Sequence, residues 1–225
     1  REIDLERLMD EQIRIALRSI TDLTLYQKDI GGGLEKFTRT RYRIHFRDKE
    51  TEDLLNKLEH AREIGNTVEV SLSIKQLIDR AYAESLDSER QLLWAVLLLC
   101  HRLYDRALEL IDRTLQTEQI EFEEEYLYVR ALTQYEKRKL DVVIDECKVN
   151  ISKYPGDPRF FHLCGLAISE ILSDSVDGYS WGDAIEYTQM AYSLLKDNKK
   201  ELSLLGAIVN NLAYFYYSRK EDGDF

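Results

Sequence analysis

Arginine recurs at every second position in one short stretch, and that spacing carries the sharpest chemical signal in the chain. In RTRYRIHFR, Arg39 to Arg47, the residues Arg39, Arg41, Arg43, His45 and Arg47 fall on one side of a period-two pattern, with Tyr42, Ile44 and Phe46 on the other. On a strand, that side would be a row of guanidinium groups suited to phosphate oxygens. The competing expectation is a solvated face paired with carboxylates such as Glu69. Gly31-Gly32-Gly33 precedes the stretch, but Leu34-Glu35-Lys36 follows it where a phosphate loop would need Gly-Lys-Ser/Thr. The triple glycine therefore reads as a helix stop with a flexible turn. Cys100-His101 and His162-x-Cys164 hold metal-ligand types, yet neighbours on a helix point apart and no second pair completes four ligands. We expect core side chains there and no metal. The acidic run Glu121 to Glu125 is expected to open a helix, where carboxylates complement the dipole. With no nucleophile beside a base, no metal quartet and no cofactor fingerprint, the expectation is a non-enzymatic, cofactor-free chain.

The elements that would position these residues can be bounded from composition. The chain has 225 residues, 44% of them hydrophobic and 32% charged, enough to bury a core in one large domain or two small ones. Two prolines and ten glycines argue against a linker-rich chain. A net charge of -11 works against bulk attraction to nucleic acid or anionic lipid. No apolar run reaches the roughly 18 residues of a membrane helix. Cys100, Cys147 and Cys164 are odd in number and embedded in apolar text, which suggests a reducing, cytoplasmic setting rather than a disulfide framework. Arg1-Glu2-Ile3-Asp4 is neither a start Met nor a signal peptide, so a fragment of a longer protein is expected.

Periodicity then sorts the chain in two. Leu5, Leu8, Met9, Ile13, Ala16, Leu17 and Ile20 form a helical stripe. Arg39 to Arg47 reads as a strand, Thr51 to Ile64 as a helix ended by Gly65-Asn66, and Val68, Val70, Leu72 and Ile74 alternate as a second strand. A parallel βαβ unit follows from that order. Residues 1–85 are thus expected to form an N-terminal helix plus a small α/β segment. Residues 86–225 read as helical hairpins throughout.

A small residue recurs through those hairpins. Ala95 and Ala107 stand twelve apart, as do Ala131 and Val143. Gly165 and Ala184 form a third pair, spread to nineteen by the insertion Ser173 to Tyr179, and Ala213 starts a fourth. From Ala95 to Ala131 is 36 residues, and from Ala131 to Gly165 is 34. Close helix crossings leave no room for larger side chains at such sites, while Tyr104, Leu140 and Trp181, three before each second-helix site, would plug the gaps. Thr114, Asn150 and Ala191 mark a further small-to-medium position, and Pro155 stops the second unit.

A helix-turn-helix unit of this length with these small positions resembles the tetratricopeptide repeat family. The resemblance rests on YDRALELIDRTL, LDVVIDECKVNISKYP, CGLAISEIL with WGDAIEYTQMAYSLL, and NNLAYFYYSR, and it covers roughly Ser88 to Phe225. Val143 in place of alanine, Arg130 in place of leucine and the insertion depart from the pattern. The resemblance implies a mainly α solenoid of about three and a half repeats, the last cut at Asp224-Phe225 before its second helix. It also implies a concave, partner-binding face lined by the first helix of each unit. Projected onto this chain, that face takes Leu92, Val96 and Leu99, then Tyr128, Leu132 and Tyr135, then His162 and Leu166, and finally Asn210, Tyr214 and Tyr217. It is apolar and aromatic without Lys or Arg, matched to an amphipathic helix or an extended apolar segment. A separate protein or another part of this chain, such as the N-terminal helix, could fill it. The expected function is a protein-interaction scaffold. The rivals are a regulatory region of a larger enzyme and, against the overall acidity, phosphate or nucleic-acid binding through Arg39, Arg41, Arg43 and Arg47.

Overall fold

The computed structural model describes residues 49–83, 88–100, 102–117, 122–173, 178–197 and 202–221. Among them it is mainly helical and contains no strand. The helices are α1 (Lys49–Glu63), α2 (Thr67–Ala83), α3 (Ser88–Cys100), α4 (Tyr104–Leu115), α5 (Glu123–Glu136), α6 (Leu140–Lys153), α7 (Pro158–Ser173), α8 (Trp181–Leu195) and α9 (Leu202–Glu221). Two compact units divide the chain, one within residues 30–126 and the other within 127–225. In the first, α1 packs on α2, α2 touches α3, and α3 packs on α4. In the second, α6 packs on α7, α7 on α8, and α8 on α9. These packed pairs are chiefly neighbours in sequence.

The second expected strand is instead the start of α2. Val68, Val70, Leu72 and Ile74 do alternate, but they continue into Leu77, Ile78 and Ala81, which only a helix can place on one side. Ser73, Leu77 and Ala81 are buried at intervals of four, while Val68 and Leu72 are left exposed. Local chemistry favours this outcome. Gly65, at φ +70°, lets the backbone turn left-handed after α1, so that its N–H reaches Arg62 O and the Asn66 N–H reaches Ala61 O. Asn66 then accepts the Glu69 N–H on its side-chain oxygen at 3.1 Å, capping α2. One dipeptide closes a helix and opens the next, so Val68 never extends. The other expected strand, Arg39 to Arg47, and the helix from Leu5 to Ile20 lie outside the described residues.

Two interhelical loops, 36 residues apart, share one geometry. After α3, Arg102 sits at φ 61°, its N–H bonded to Leu99 O, and the Leu103 N–H reaches Leu98 O. After α5, Arg138 sits at φ 62°, its N–H bonded to Tyr135 O, and the Lys139 N–H reaches Gln134 O. The next helix begins at once in both, with Ala107 N–H on Leu103 O and Val143 N–H on Lys139 O. Glycine is the usual residue at such a left-handed stop, and here arginine holds it at some strain.

The small sites lie in the interior. Ala95 and Ala107 are fully buried in the first unit, and Ala131, Val143, Ala184 and Ala191 in the second. Gly165 on α7 shows why size matters. A Cβ there would stand 2.9 Å from Ala184 O and would press on the Thr188 side chain, both on α8. Two of the three departures from the pattern have visible local settings: Arg130 is ion-paired with Glu146 on α6, and α7 ends at Ser173, where the insertion begins.

Arg102→Gly should raise stability by about 0.5–1 kcal/mol by relieving the left-handed strain. Gly165→Leu should lower it by about 1–3 kcal/mol or more through overpacking. Urea midpoints of the two variants check both; an unchanged Gly165→Leu midpoint would mean that the crossing is loose.

Candidate interaction face

Most residues projected onto a concave face lie in the interior instead. Leu92, Val96 and Leu99 are buried on α3, whose residues from Gln91 to Leu99 are covered on every side. A helix reading LLWAVLLL has no polar side to turn outward, so it is packed all round. In the second unit Tyr128, Leu132, Tyr135 and His162 are also buried, and Leu166 is half-buried. Positions three before and one after a small crossing site point along the seam between packed helices, where neighbours cover them. Asn210, Tyr214 and Tyr217 are exposed. Arg39, Arg41, Arg43 and Arg47 lie outside the described residues, as does Gly31-Gly32-Gly33.

Tyr128 is a core ring with a specific task. The Arg159 guanidinium carbon sits 4.6 Å from its centroid, and Phe160 meets it edge-on at 5.8 Å. Arg159 is itself buried, and its Nε donates to both carboxylate oxygens of Asp157 at 3.0 Å. Asp157 also accepts the Arg159 backbone N–H at 2.9 Å, so it caps α7 while neutralising the guanidinium. Pro158 between them occupies the first helical position, where its missing N–H costs nothing. DPR is thus one device: a cap, a starter and a buried counter-charge.

Other titratable groups of this interior lie between packed helices. His162 Nε2 accepts from Asn211 Nδ2 on α9 at 2.8 Å, and Nδ1 finds no partner among the described residues. Burial pushes its pKa down from 6.5 to about 4. Cys147 and Cys164 are free and buried. Burial drives the Cys147 thiol well up, and it drives Cys164 up to about 12 despite nearby Lys148 and the Tyr187 hydroxyl. Thiols held protonated are poor nucleophiles and poor ligands. No three His, Cys, Asp or Glu side chains gather around a common point among the described residues.

The exposed residues gather on α9, beside the start of α8. Ser180 and Asp183 form a reciprocal capping box there, fixing where Trp181 begins the helix. The Trp181 ring meets Tyr214 edge-on at 6.1 Å and Phe215 at 5.9 Å. Phe215 is buried, whereas Tyr214 is 52% and Tyr217 61% exposed. The result is an anchored aromatic edge with one tyrosine packed at its base and another open to solvent. The sequence singled out Asn210, Tyr214 and Tyr217 here but missed Val209 and Tyr216, which are exposed on the same helix. Their signal was the lack of any charge from Leu202 to Ser218.

Comparison of the chain with protein-family models, with characterised proteins and with solved structures gives no match.

The buried imidazole makes stability depend on pH. The fold holds His162 neutral, so between pH 6.5 and about 4 the unfolded chain takes up a proton that the folded chain refuses. Its contribution is fully present above 6.5 and is lost as pH falls toward 4, by roughly 3 kcal/mol at about 1.4 kcal/mol per unit. His162→Gln should therefore lose less stability than the wild type between neutral pH and about pH 4.5. Urea midpoints across that range check this, and equal losses would show that His162 charges freely.

Proposed function

We propose that this chain is a tetratricopeptide-like protein-interaction module, a scaffold rather than an enzyme, that receives an apolar helical or extended segment of another protein. The observation that carries the reading is the aromatic edge of α9, where Tyr214 and Tyr217 stand exposed on a base fixed by Trp181 and Phe215. Tyrosines offer much contact area with few rotatable bonds, so ordering them on binding costs little entropy. The two matching loops at Arg102 and Arg138, 36 residues apart, support a repeated hairpin. So do the buried small residues Ala107, Ala131, Gly165 and Ala184.

The reading also fixes what the ligand offers. Nothing on the receiving side from Leu202 to Ser218 is charged, so the buried part of the ligand is apolar. The chain as a whole carries -11, which steers basic flanks toward it.

The test is titration of the full chain with fluorescent peptides that carry a Leu-rich helical stripe and lysines on the opposite face. Binding is expected to weaken about tenfold in Tyr217→Ala, the loss of about 1.4 kcal/mol common for an aromatic contact. The thermal midpoint should stay in place because the ring is exposed. Absence of binding, or equal binding by Tyr217→Ala, overturns the assignment of this edge.

A further inference from the structure

One contact ties α9 to α7 through a group that can change its charge. His162 on α7 is fully buried, its Nε2 accepts from Asn211 Nδ2 at 2.8 Å, and its Nδ1 finds no partner among the described residues. With Nε2 accepting, the neutral ring carries its proton on Nδ1, so a second proton goes onto Nε2. There it points at the Asn211 amide donor. Turning that amide restores the hydrogen bond but leaves a charged ring buried with nothing to neutralise it. The charges of the helices around it are already engaged. Arg159 is held by Asp157, Arg130 on α5 by Glu146 on α6, and Arg138 by Glu170 on α7. Lys148 on α6 sits over the Tyr179 ring, and the Cys147 and Cys164 thiols are held protonated. On α8, Asp183 closes its own capping box and Glu186 is exposed, while α9 carries no charge from Leu202 to Ser218. Burial is accordingly what keeps the ring neutral.

The hold of α9 on its unit is one-sided. It packs on α8 and more lightly on α7, with Leu204 and Ile208 beside Phe161, Ala191 and Leu195. Val209, Tyr214, Tyr216 and Tyr217 are exposed. An element with buried contacts on one side only opens at a lower free energy than the whole fold. We infer that α9 is an acid-released element, opening from α7 and α8 as one unit in an equilibrium that protonation of His162 draws toward the open state. In the closed state the ring is buried, and in the open state it meets water and regains its ordinary proton affinity. Opening therefore takes up a proton wherever the pH lies between 6.5 and about 4. The open population is lowest above 6.5 and rises as pH falls through that window, because acid favours the state that binds the proton. The inference does not depend on the proposed peptide site, although α9 carries it.

Amide hydrogen exchange of the full chain, corrected for the pH dependence of intrinsic exchange, tests it. At neutral pH, α9 should be less protected than α6, and its protection should fall roughly 20-fold from pH 7 to pH 5. In His162→Gln, which keeps a hydrogen-bonding group without a titrating ring, that fall should largely disappear. Equal protection of α9 and α6 at both pH values means that α9 opens only with the whole fold, and it overturns the inference. The same fall in His162→Gln as in the wild type overturns it too. If His162→Gln does not fold, the ring is read in the wild type by NMR. A His162 imidazole that titrates near 6.5 in the folded chain overturns the inference, and one that stays neutral at pH 5 while α9 loses protection supports it.

Discussion

The approach of one helix backbone to the next at a residue without a large side chain is the constraint on which this architecture depends. At Gly165 the neighbouring Ala184 carbonyl and Thr188 side chain occupy the space where a Cβ would go. Axes that close bring whole rows of larger side chains into contact on either side of the crossing. That is how Phe160, Leu163, Ala167 and Ile168 on one short helix come to be fully buried. Dispersion between such rows is individually small and collectively large, and it decays steeply with any gap. A small residue at the crossing thus decides how well residues elsewhere on both helices pack.

Polar groups inside the second unit obey the same economy. Arg159 is tolerated in the interior because Asp157 both neutralises it and caps the helix it belongs to, while the Tyr128 ring lies under the guanidinium. A buried pair of this kind is weak evidence of net stabilisation, but breaking it would strand a charge, so it enforces one arrangement of α5 against α7. His162 does similar work between α7 and α9 through Asn211. These groups have perturbed environments of the sort found at reactive sites. Their geometry nevertheless satisfies helix ends and interhelical seams.

Surface and interior meet on α9. One side completes the packing around Phe161, Ala191 and Leu195, and another presents tyrosines anchored on Trp181. Helices that bury one stripe turn charged residues outward. This one carries no charged residue from Leu202 to Ser218, and its surroundings account for only part of its apolar surface. The functional reading therefore rests on surface that internal packing leaves unexplained, rather than on the aromatic residues that packing already uses.

Much of the helical organisation could be read from residue order, because it is written in local terms. Intervals of three and four marked the helices from Tyr104 onward, Pro155 and Gly65-Asn66 marked ends, and the small residues at 95, 107, 131, 165 and 184 marked buried positions. Other features needed the third dimension. Val68 to Ile74 alternates like a strand, and only a cap at Asn66 together with burial of Leu77 and Ala81 makes it helical. Arg102 and Arg138 carry no glycine signal, yet their backbones adopt glycine's usual conformation because the next helix must start at once. Above all, spacing tells which residues share a side of a helix but not what lies against that side. Tyr128 and Tyr214 look alike in sequence, each close to the small site of a first helix, Tyr128 three before Ala131 and Tyr214 one after Ala213. One became core and the other surface because helices converge on the first and leave the second open, a distinction that depends on distant chain segments and not on neighbours in sequence.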